Sequence, residues 1–285
     1  MATEQDWFLE KFEPAGTAFG LRLGEKLHSE RSDFQHIDIY QTDTFGRLMV
    51  IDGAVMLTDR DNFLYHEMLT HPALCLHPRP TRVLIIGGGD CGTLREVLRH
   101  DIVEQVTQVE IDERVTRLAE HYFPELCERN DDPRATLLFD DGIAHVQNAA
   151  DSSLDLIIID STDPVGPAEG LFNRAFYQQC VRALAPDGML VQQTESPLLH
   201  LDLIRQVHGS LKAEGFAETA LLHFPQPVYP SGWWSATLAA KRGPLPEPVA
   251  ARVAAMEADS RYFNAGTLAG ALAQPGFVAR ALAVD

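Results

Sequence analysis

Residues 82–98, RVLIIGGGDCGTLREVL, run from an apolar stretch into Gly87-Gly88-Gly89-Asp90-Cys91-Gly92 and then into residues at helical spacing. The order is strand, turn, helix. The glycines fit the G-x-G-x-x-G pattern of a nucleotide-binding turn, where the backbone approaches a ligand closely. One non-glycine position in that turn is an aspartate. A carboxylate is a poor neighbour for a pyrophosphate, so the turn requires a ligand that tolerates or needs an acid.

Outward from this turn, the same rhythm continues towards the C-terminus. QVTQVEID (105–112), ATLLFDDG (135–142), LDLIIIDS (154–161) and GMLVQQTES (188–196) read as strands, with TLREVLRH, ERVTRLAEHYF and FNRAFYQQCVRAL as helices between them. Continuous apolar strands alternating with helices indicate an α/β fold with a parallel sheet covered on both faces. WWSATLAAK (233–241) is the last expected strand, and the Pro-rich RGPLPEPV leads from it into a terminal helical segment. Upstream, residues 17–60 carry GLRLGEKLHSERS, FQHIDIYQTD, GRLMVIDG and AVMLTD, short runs with partial alternation that predict a small antiparallel sheet. NFLYHEMLTHPALCL (62–76) follows at roughly helical spacing and ends near Pro78 and Pro80. The chain is expected to divide into an N-terminal β-domain, 1–62, and a larger domain, 63–285.

Bulk properties exclude several classes of function. At 45% hydrophobic and 22% charged residues the chain reads as an ordinary soluble globular protein. MATEQDWFLEKF lacks the basic start and apolar run of a signal peptide, and no apolar stretch approaches the ~20 residues that cross a bilayer. A cytoplasmic location without membrane contact is expected. Cys75, Cys91, Cys127 and Cys180 are scattered without a C-x-x-C pair, and no H-E-x-x-H spacing occurs. Free thiols and no metal are expected. A formal net charge of −18 argues against a nucleic-acid partner and is compatible with a cationic small substrate.

In open α/β sheets the ligand sits beyond the C-terminal ends of the strands. Here those ends carry Asp90, Glu110, Asp112, Asp140, Asp141, Asp160 and Asp163. Glu110, 18 residues after Gly92, suits a ribose, because a carboxylate there can accept two hydroxyl hydrogen bonds. The alternative role, capping a helix, fits Asp112 better. Asp141-Gly142 reads equally as a contact to an adenine edge or as a turn with an N-cap. A dinucleotide oxidoreductase would accept Glu110 but not Asp90 beside phosphates. S-adenosylmethionine needs no phosphate site, yet its carboxylate would be repelled by Asp90 and Asp160 together. A nucleoside sulfonium ending only in an ammonium, decarboxylated S-adenosylmethionine, is favoured by both.

With these residues in view, the chain resembles the polyamine aminopropyltransferases, most closely the spermidine synthases. The likeness runs from Trp7 to the tail RYFNAGTLAGALAQPGFV, through GRLMVIDGAVMLTDRDNFLYHEML, VLIIGGGDCG, VEID, DDG, DSTDPVGPAEGLF and YPSGWW. The resemblance implies a Rossmann-like, methyltransferase-type domain behind the β-domain, assembled as a homodimer or homotetramer. It implies aminopropyl transfer from decarboxylated S-adenosylmethionine to a diamine such as putrescine, without a metal. Gln35 and Glu110 would hold the ribose and Asp141 with Gly142 the adenine. His66 and Asp90 would hold the aminopropyl ammonium, and Gly87, Gly88 and Gly89 would provide the close backbone approach. Trp7, Tyr65, Asp163 and Tyr229 would line the acceptor channel, and Asp160, supported by Tyr65 and Asp163, would be the general base.

Read without the resemblance, Tyr65 and His66 are ordinary helix residues, and Trp7 and Tyr229 cap a core. The loop STDPVGPAEGLF reads equally as a lid or as a static wall. Cys91 stands where the family usually has glycine, which leaves open a shifted loop or a thiol against the donor. Met56 replaces a common glutamine, LAQP replaces a common FALP, and QQTESPLLH and PQPVYPSGWW leave the acceptor open among putrescine, cadaverine, agmatine and longer polyamines. Two other functions stay in play: an N-methyltransferase using the intact cofactor, and a non-catalytic polyamine-binding homologue.

Overall fold

Two sheets organise the computed structural model, which describes residues 7–163 and 166–283, with side chains for all of these except 166 and 167. The first sheet is a five-stranded antiparallel meander: β1 (Trp7–Phe12), β2 (Thr17–Arg31), β3 (His36–Thr42), β4 (Arg47–Ile51) and β5 (Ala54–Thr58). Asp52 and Gly53, both with positive φ (48° and 88°), make the tight turn between β4 and β5. The sheet begins with β1, ahead of the start expected from alternation. Its six residues alternate between exposed and half-buried, and the half-buried set is Phe8, Glu10 and Phe12.

Helix α1 (Asn62–Leu76) leads into the second sheet, and every one of its residues except Phe63 is buried. It is a core helix, which explains why its sequence shows no clean polar face. There follow β6 (Arg82–Gly87), α2 (Gly92–Leu98), β7 (Gln105–Glu110), α3 (Glu113–Tyr122), β8 (Ala135–Phe139), α4 (Gly142–Asn148), β9 (Leu154–Asp160), α5 (Arg174–Ala183) and β10 (Leu184–Gln193). The chain closes with α6 (Leu201–Ala213), β11 (Glu218–Pro225), β12 (Trp233–Ala240), α7 (Ala250–Glu257), α8 (Ala265–Leu272) and α9 (Gly276–Leu282). The strand order is β11-β12-β10-β9-β6-β7-β8, parallel from β10 to β8. β12 runs antiparallel to both its neighbours, so the sheet is mixed rather than wholly parallel. Only a short loop separates β11 from β12, too little for the crossover that parallel neighbours need.

The apolar strands are buried on both faces, as their unbroken runs require. Val83 and Ile85 of β6 pack with α1 and α2, while Leu84 and Ile86 pack with residues of α4 and α5. The first sheet lays Ile37, Ile39, Met49 and Leu57 on Val115, Leu118 and Phe123 of α3 and its C-cap. Its other core cluster, Leu48, Val50 and Val55, meets Val228 and Tyr229 from the β11–β12 connection. The chain runs outward from β6 to β8 and then returns to β9 on the other side of β6. That reversal opens a crevice at the strand ends, where the register sets Gly87 beside Asp160.

Candidate active site

The glycine turn is shaped by what crowds it. Gly87 has φ 81°, and a Cβ there would lie 2.1 Å from the Asp160 carbonyl oxygen, which itself accepts the Gly88 N–H at 2.7 Å. Any side chain at position 87 would push β6 off β9. Cys91 also has positive φ, 67°, yet its thiol is fully buried and turned to the Gly89 carbonyl and Gln108. Of the two possibilities that Cys91 raised, a thiol on the cavity wall is not seen: the sulfur faces inward, away from the cleft. Gly92 opens α2, and a Cβ on it would strike the His66 ring at 2.2 Å.

A cleft beyond the strand ends is walled by Gly87, Gly88, Gly89 and Asp90 from the turn, Glu110 from the end of β7, and Asp160 from the end of β9. Asp141 and Gly142 at the start of α4, Gln35 and Met56 from the first sheet, and Tyr65 and Tyr229 complete it. Glu110 accepts the Asp112 N–H at 2.9 Å. Burial pushes its carboxyl up to about 7, and the charges of Asp112, Asp160 and Asp90 add to that rise. Asp112 itself caps α3 through the Arg114 N–H and is held by Ser32 (2.6 Å) and Gln35 (2.9 Å). The capping role therefore belongs to Asp112, and Glu110 faces the cleft. Asp141 caps α4 through the N–H groups of Ile143 and Ala144 and lines the cleft as well.

Asp90 and Asp160 stand close enough on the cleft wall for each charge to act on the other. Asp160 accepts the Tyr65 hydroxyl on Oδ1 at 2.7 Å and the Thr93 hydroxyl on Oδ2 at 2.6 Å. Burial, then the charge of Asp90, raises its carboxyl above the usual carboxylate range despite these donors and His66. Asp90 moves the other way. Burial opposes its charge, but His66 Nε2 at 3.2 Å and the Gly92 N–H at 2.7 Å hold it below the usual range. His66 is raised in turn, the Asp90 carboxylate outweighing the burial that would lower it. His66 stands behind Asp90 and is absent from the cleft wall.

A second chamber opens from the first across Met56, Tyr65, Ser161, Thr162 and Tyr229, which line both. Its far wall holds Asp163, Gln193 and Glu10. Glu10 accepts the Val55 N–H at 2.7 Å, and burial pushes its carboxyl up to about 7, with the Asp163 charge adding to the rise. Glu195, behind Gln193, is 2% exposed with φ 64°, and burial and then the charge of Asp163 raise it well above the usual range. Tyr229 donates its hydroxyl to the Met56 carbonyl at 2.5 Å. Trp7, by contrast, is 43% exposed on the other face of β1 and lines neither chamber. Part of the loop expected to act as lid or wall, residues 164 and 165 with the side chains of 166 and 167, lies outside the described residues.

Glu10, Gln193, Glu195 and Thr93 escaped the sequence reading. Glu10 had a signal: an acid between two phenylalanines on one face of an alternating strand. Glu195 had one too, since it follows the end of a central strand by two residues, as the acids after other strands do. Thr93 had none, because a threonine on a buried helix face looks like packing. Among the described residues no cluster of metal-ligating side chains occurs, and no helix is long and apolar enough to cross a membrane.

Comparison with known proteins agrees with this geometry. Residues 62–247 match the spermine/spermidine synthase domain, and residues 6–59 match the spermidine synthase tetramerisation domain. The chain is 60% identical over 283 residues to a polyamine aminopropyltransferase of Thioalkalivibrio sulfidiphilus, covering 99% of both. It is 58% identical over 282 residues to that of Methylococcus capsulatus, again covering 99% of both. Among solved structures it superimposes on a spermidine synthase in complex with the transition-state analogue AdoDATO, with a TM-score of 0.92 and 35% identity. The spermidine synthase of Thermotoga maritima gives 0.90, also at 35% identity; each match covers 99% of this chain and 96% of the other. The turn that needs an acid, the strand-end carboxylates and the sheet laid over them are the build of one group of proteins, and the chain belongs to the spermine/spermidine synthase family.

Proposed function

We propose that the protein transfers the aminopropyl group of decarboxylated S-adenosylmethionine to a diamine, with putrescine the first candidate, giving spermidine and 5′-methylthioadenosine. One observation carries this reading. The walls of the two joined chambers hold Asp90, Glu110, Asp141, Asp160, Glu10 and Asp163 and, among the described residues, no lysine or arginine. A ligand with a carboxylate or phosphate would find no counter-charge there, whereas a sulfonium with an ammonium tail and a diamine find one at each end.

In this assignment Gln35 and Glu110 take the ribose, Asp141 and Gly142 the adenine edge, and Gly87 to Gly89 the close backbone contact. Asp90, charged through His66 behind it, takes the donor ammonium. The diamine lies along Tyr65 and Tyr229, with Asp163 and Glu10 at its far end; Glu10 fills the place that the resemblance gave to Trp7. The amine arrives as an ammonium, with a pKa near ~10.4. Asp160 accepts one proton from it, and the freed nitrogen lone pair attacks the methylene carbon next to sulfur. The C–N bond forms as the C–S bond breaks, and its electron pair leaves on sulfur as a neutral thioether that needs no acid. Asp160 then returns its proton to solvent. Holding nitrogen, carbon and sulfur in line can supply about 7–11 kcal/mol of such a barrier.

The division into a β-domain (1–62) and a catalytic domain (63–285) belongs to the same proposal, as does assembly into a homodimer or homotetramer through the first sheet. So does a cytoplasmic location, where reducing conditions keep the four thiols free. The test is purified protein with decarboxylated S-adenosylmethionine and a panel of amines, following methylthioadenosine and polyamine, with the intact cofactor in parallel. Product with the decarboxylated donor alone supports the reading, and the fastest amine names the acceptor. Methylation with the intact donor, or binding without turnover, overturns it.

A further inference from the structure

Asp160 is gripped on both carboxylate oxygens, by Tyr65 at Oδ1 (2.7 Å) and by Thr93 at Oδ2 (2.6 Å). Tyr65 lines both chambers and is within reach of a ligand, but Thr93 is fully buried and lines neither. Its hydroxyl has no other partner among the described residues. A buried hydroxyl costs free energy unless it is bonded, and valine would fill the same volume without that cost. The placement follows from the backbone: with no Cβ at Gly92, the first turn of α2 closes on His66 and brings position 93 against the end of β9.

We propose that Thr93 is a positioning residue for aminopropyl transfer: its hydroxyl locks the orientation of Asp160 and keeps that carboxylate charged beside Asp90. The inference rests on the reading of Asp160 as proton acceptor. Two neighbouring half-buried carboxylates resist ionising together, because desolvation and each other's charge both favour a proton. A hydroxyl donated to each oxygen of Asp160 opposes this, since it bonds the ionised form best. Two donors on opposite oxygens also hold the carboxylate plane, leaving its remaining lone pairs aimed at the cleft. Thr93 touches neither substrate and acts only through Asp160.

The other titratable groups that face Asp160 are Tyr65 and His66 from α1, Asp90 from the glycine turn, Glu110 from β7, and Tyr229 from the β11–β12 connection. Changing Thr93 alters none of them chemically, so a difference between variant and wild-type pH profiles reports on the hydroxyl. The experiment measures kcat and KM with decarboxylated S-adenosylmethionine and putrescine from about pH 5 to 9 for wild type, Thr93→Val, Thr93→Ala and Thr93→Ser. Losing a hydrogen bond to the charged form raises the Asp160 pKa. The acidic limb of kcat/KM is therefore expected to move up by about one pH unit in Val and Ala, about a tenfold loss at its foot. KM for the donor stays near its wild-type value, and Ser restores the limb. If Val does not fold, Ala and Ser still separate hydroxyl from methyl. A limb that stays in place in the hydroxyl-free variants, or a loss of equal size in Ser, overturns the proposal and leaves Thr93 as packing. A wild-type protein silent with every amine sinks the underlying reading of the site, and this inference with it.

Discussion

Half-buried Asp160 and buried Glu110 are both carboxyls raised above their usual range, and their proposed tasks separate them. Asp160 lines the first chamber and accepts the hydroxyl of Tyr65, which lines both, and in the proposed function its charge serves the chemical step. Asp160→Asn keeps the shape and the Tyr65 contact but removes the proton acceptor, and kcat is expected to fall by about 10²–10⁴ with modest change in donor affinity. Single-turnover kinetics checks this; near-full turnover would remove Asp160 from any essential role. Glu110 lines the cleft where the proposed function puts the ribose, and its pKa of about 7 has a consequence for stability. The folded chain holds that proton more tightly than the unfolded chain, where the value is near ~4.3. Its contribution is therefore greatest below the unfolded value, declines as pH rises towards 7, and is level above that. Glu110→Gln removes the charge that burial penalises. The variant should match wild type near pH 4 and be the more stable by roughly 3–4 kcal/mol at pH 8. It should also bind methylthioadenosine about tenfold more weakly, since ribose hydroxyls then donate to a neutral amide. Melting curves across pH and calorimetry read both effects; a stability gap that does not change with pH would sink the account.

At the scale of elements, α1 is the part that everything else fixes. It carries Tyr65 and His66 into the site, and its next residue, Glu67, accepts the backbone N–H groups of Arg261, Tyr262 and Phe263, each at 2.8 Å. Arg252 of α7 donates to the carbonyls of Leu74, His77 and Pro78 at the helix's far end. The C-terminal segment is thus a strap across the back of the helix that carries Tyr65 and His66. Glu67→Ala strands three amide donors and is expected to cost about 2–4 kcal/mol, with activity at low temperature falling less than stability. Denaturant titration beside kcat at ~15 °C tests this; a loss of kcat without loss of stability would place Glu67 in the chemistry instead. This strap also shows where sequence reading stops. The parallel strands and the glycine turn were legible because unbroken apolar runs and close backbone approach leave a local mark. Strand β11 and the reversed direction of β12 were not, because direction depends on the length of a connection and on which neighbour is free. Glu67 looked like one polar residue in an apolar helix, and its three partners lie almost two hundred residues away.

For the whole molecule, the net charge of −18 and the acid-lined chambers point the same way. Both proposed substrates are cations, and a negative protein raises their local concentration at the mouth of the cleft. Such steering is screened by salt over the Debye length, about 10 Å at 0.1 M and ~3 Å at 1 M. The contacts inside are different. Glu110 is buried and Asp160 half-buried, and both lose less of their effect to added ions than surface charges do. The value of kcat/KM for the diamine should therefore fall several-fold between about 0.02 and 0.5 M NaCl, while kcat at saturation changes little. Methylthioadenosine supplies the control, because it is uncharged and fills only the nucleoside part of the cleft. Its inhibition constant should stay flat over the same range. Parallel salt slopes for diamine and nucleoside would mean that salt acts on the fold, and the acidic surface would then have no part in drawing substrate in.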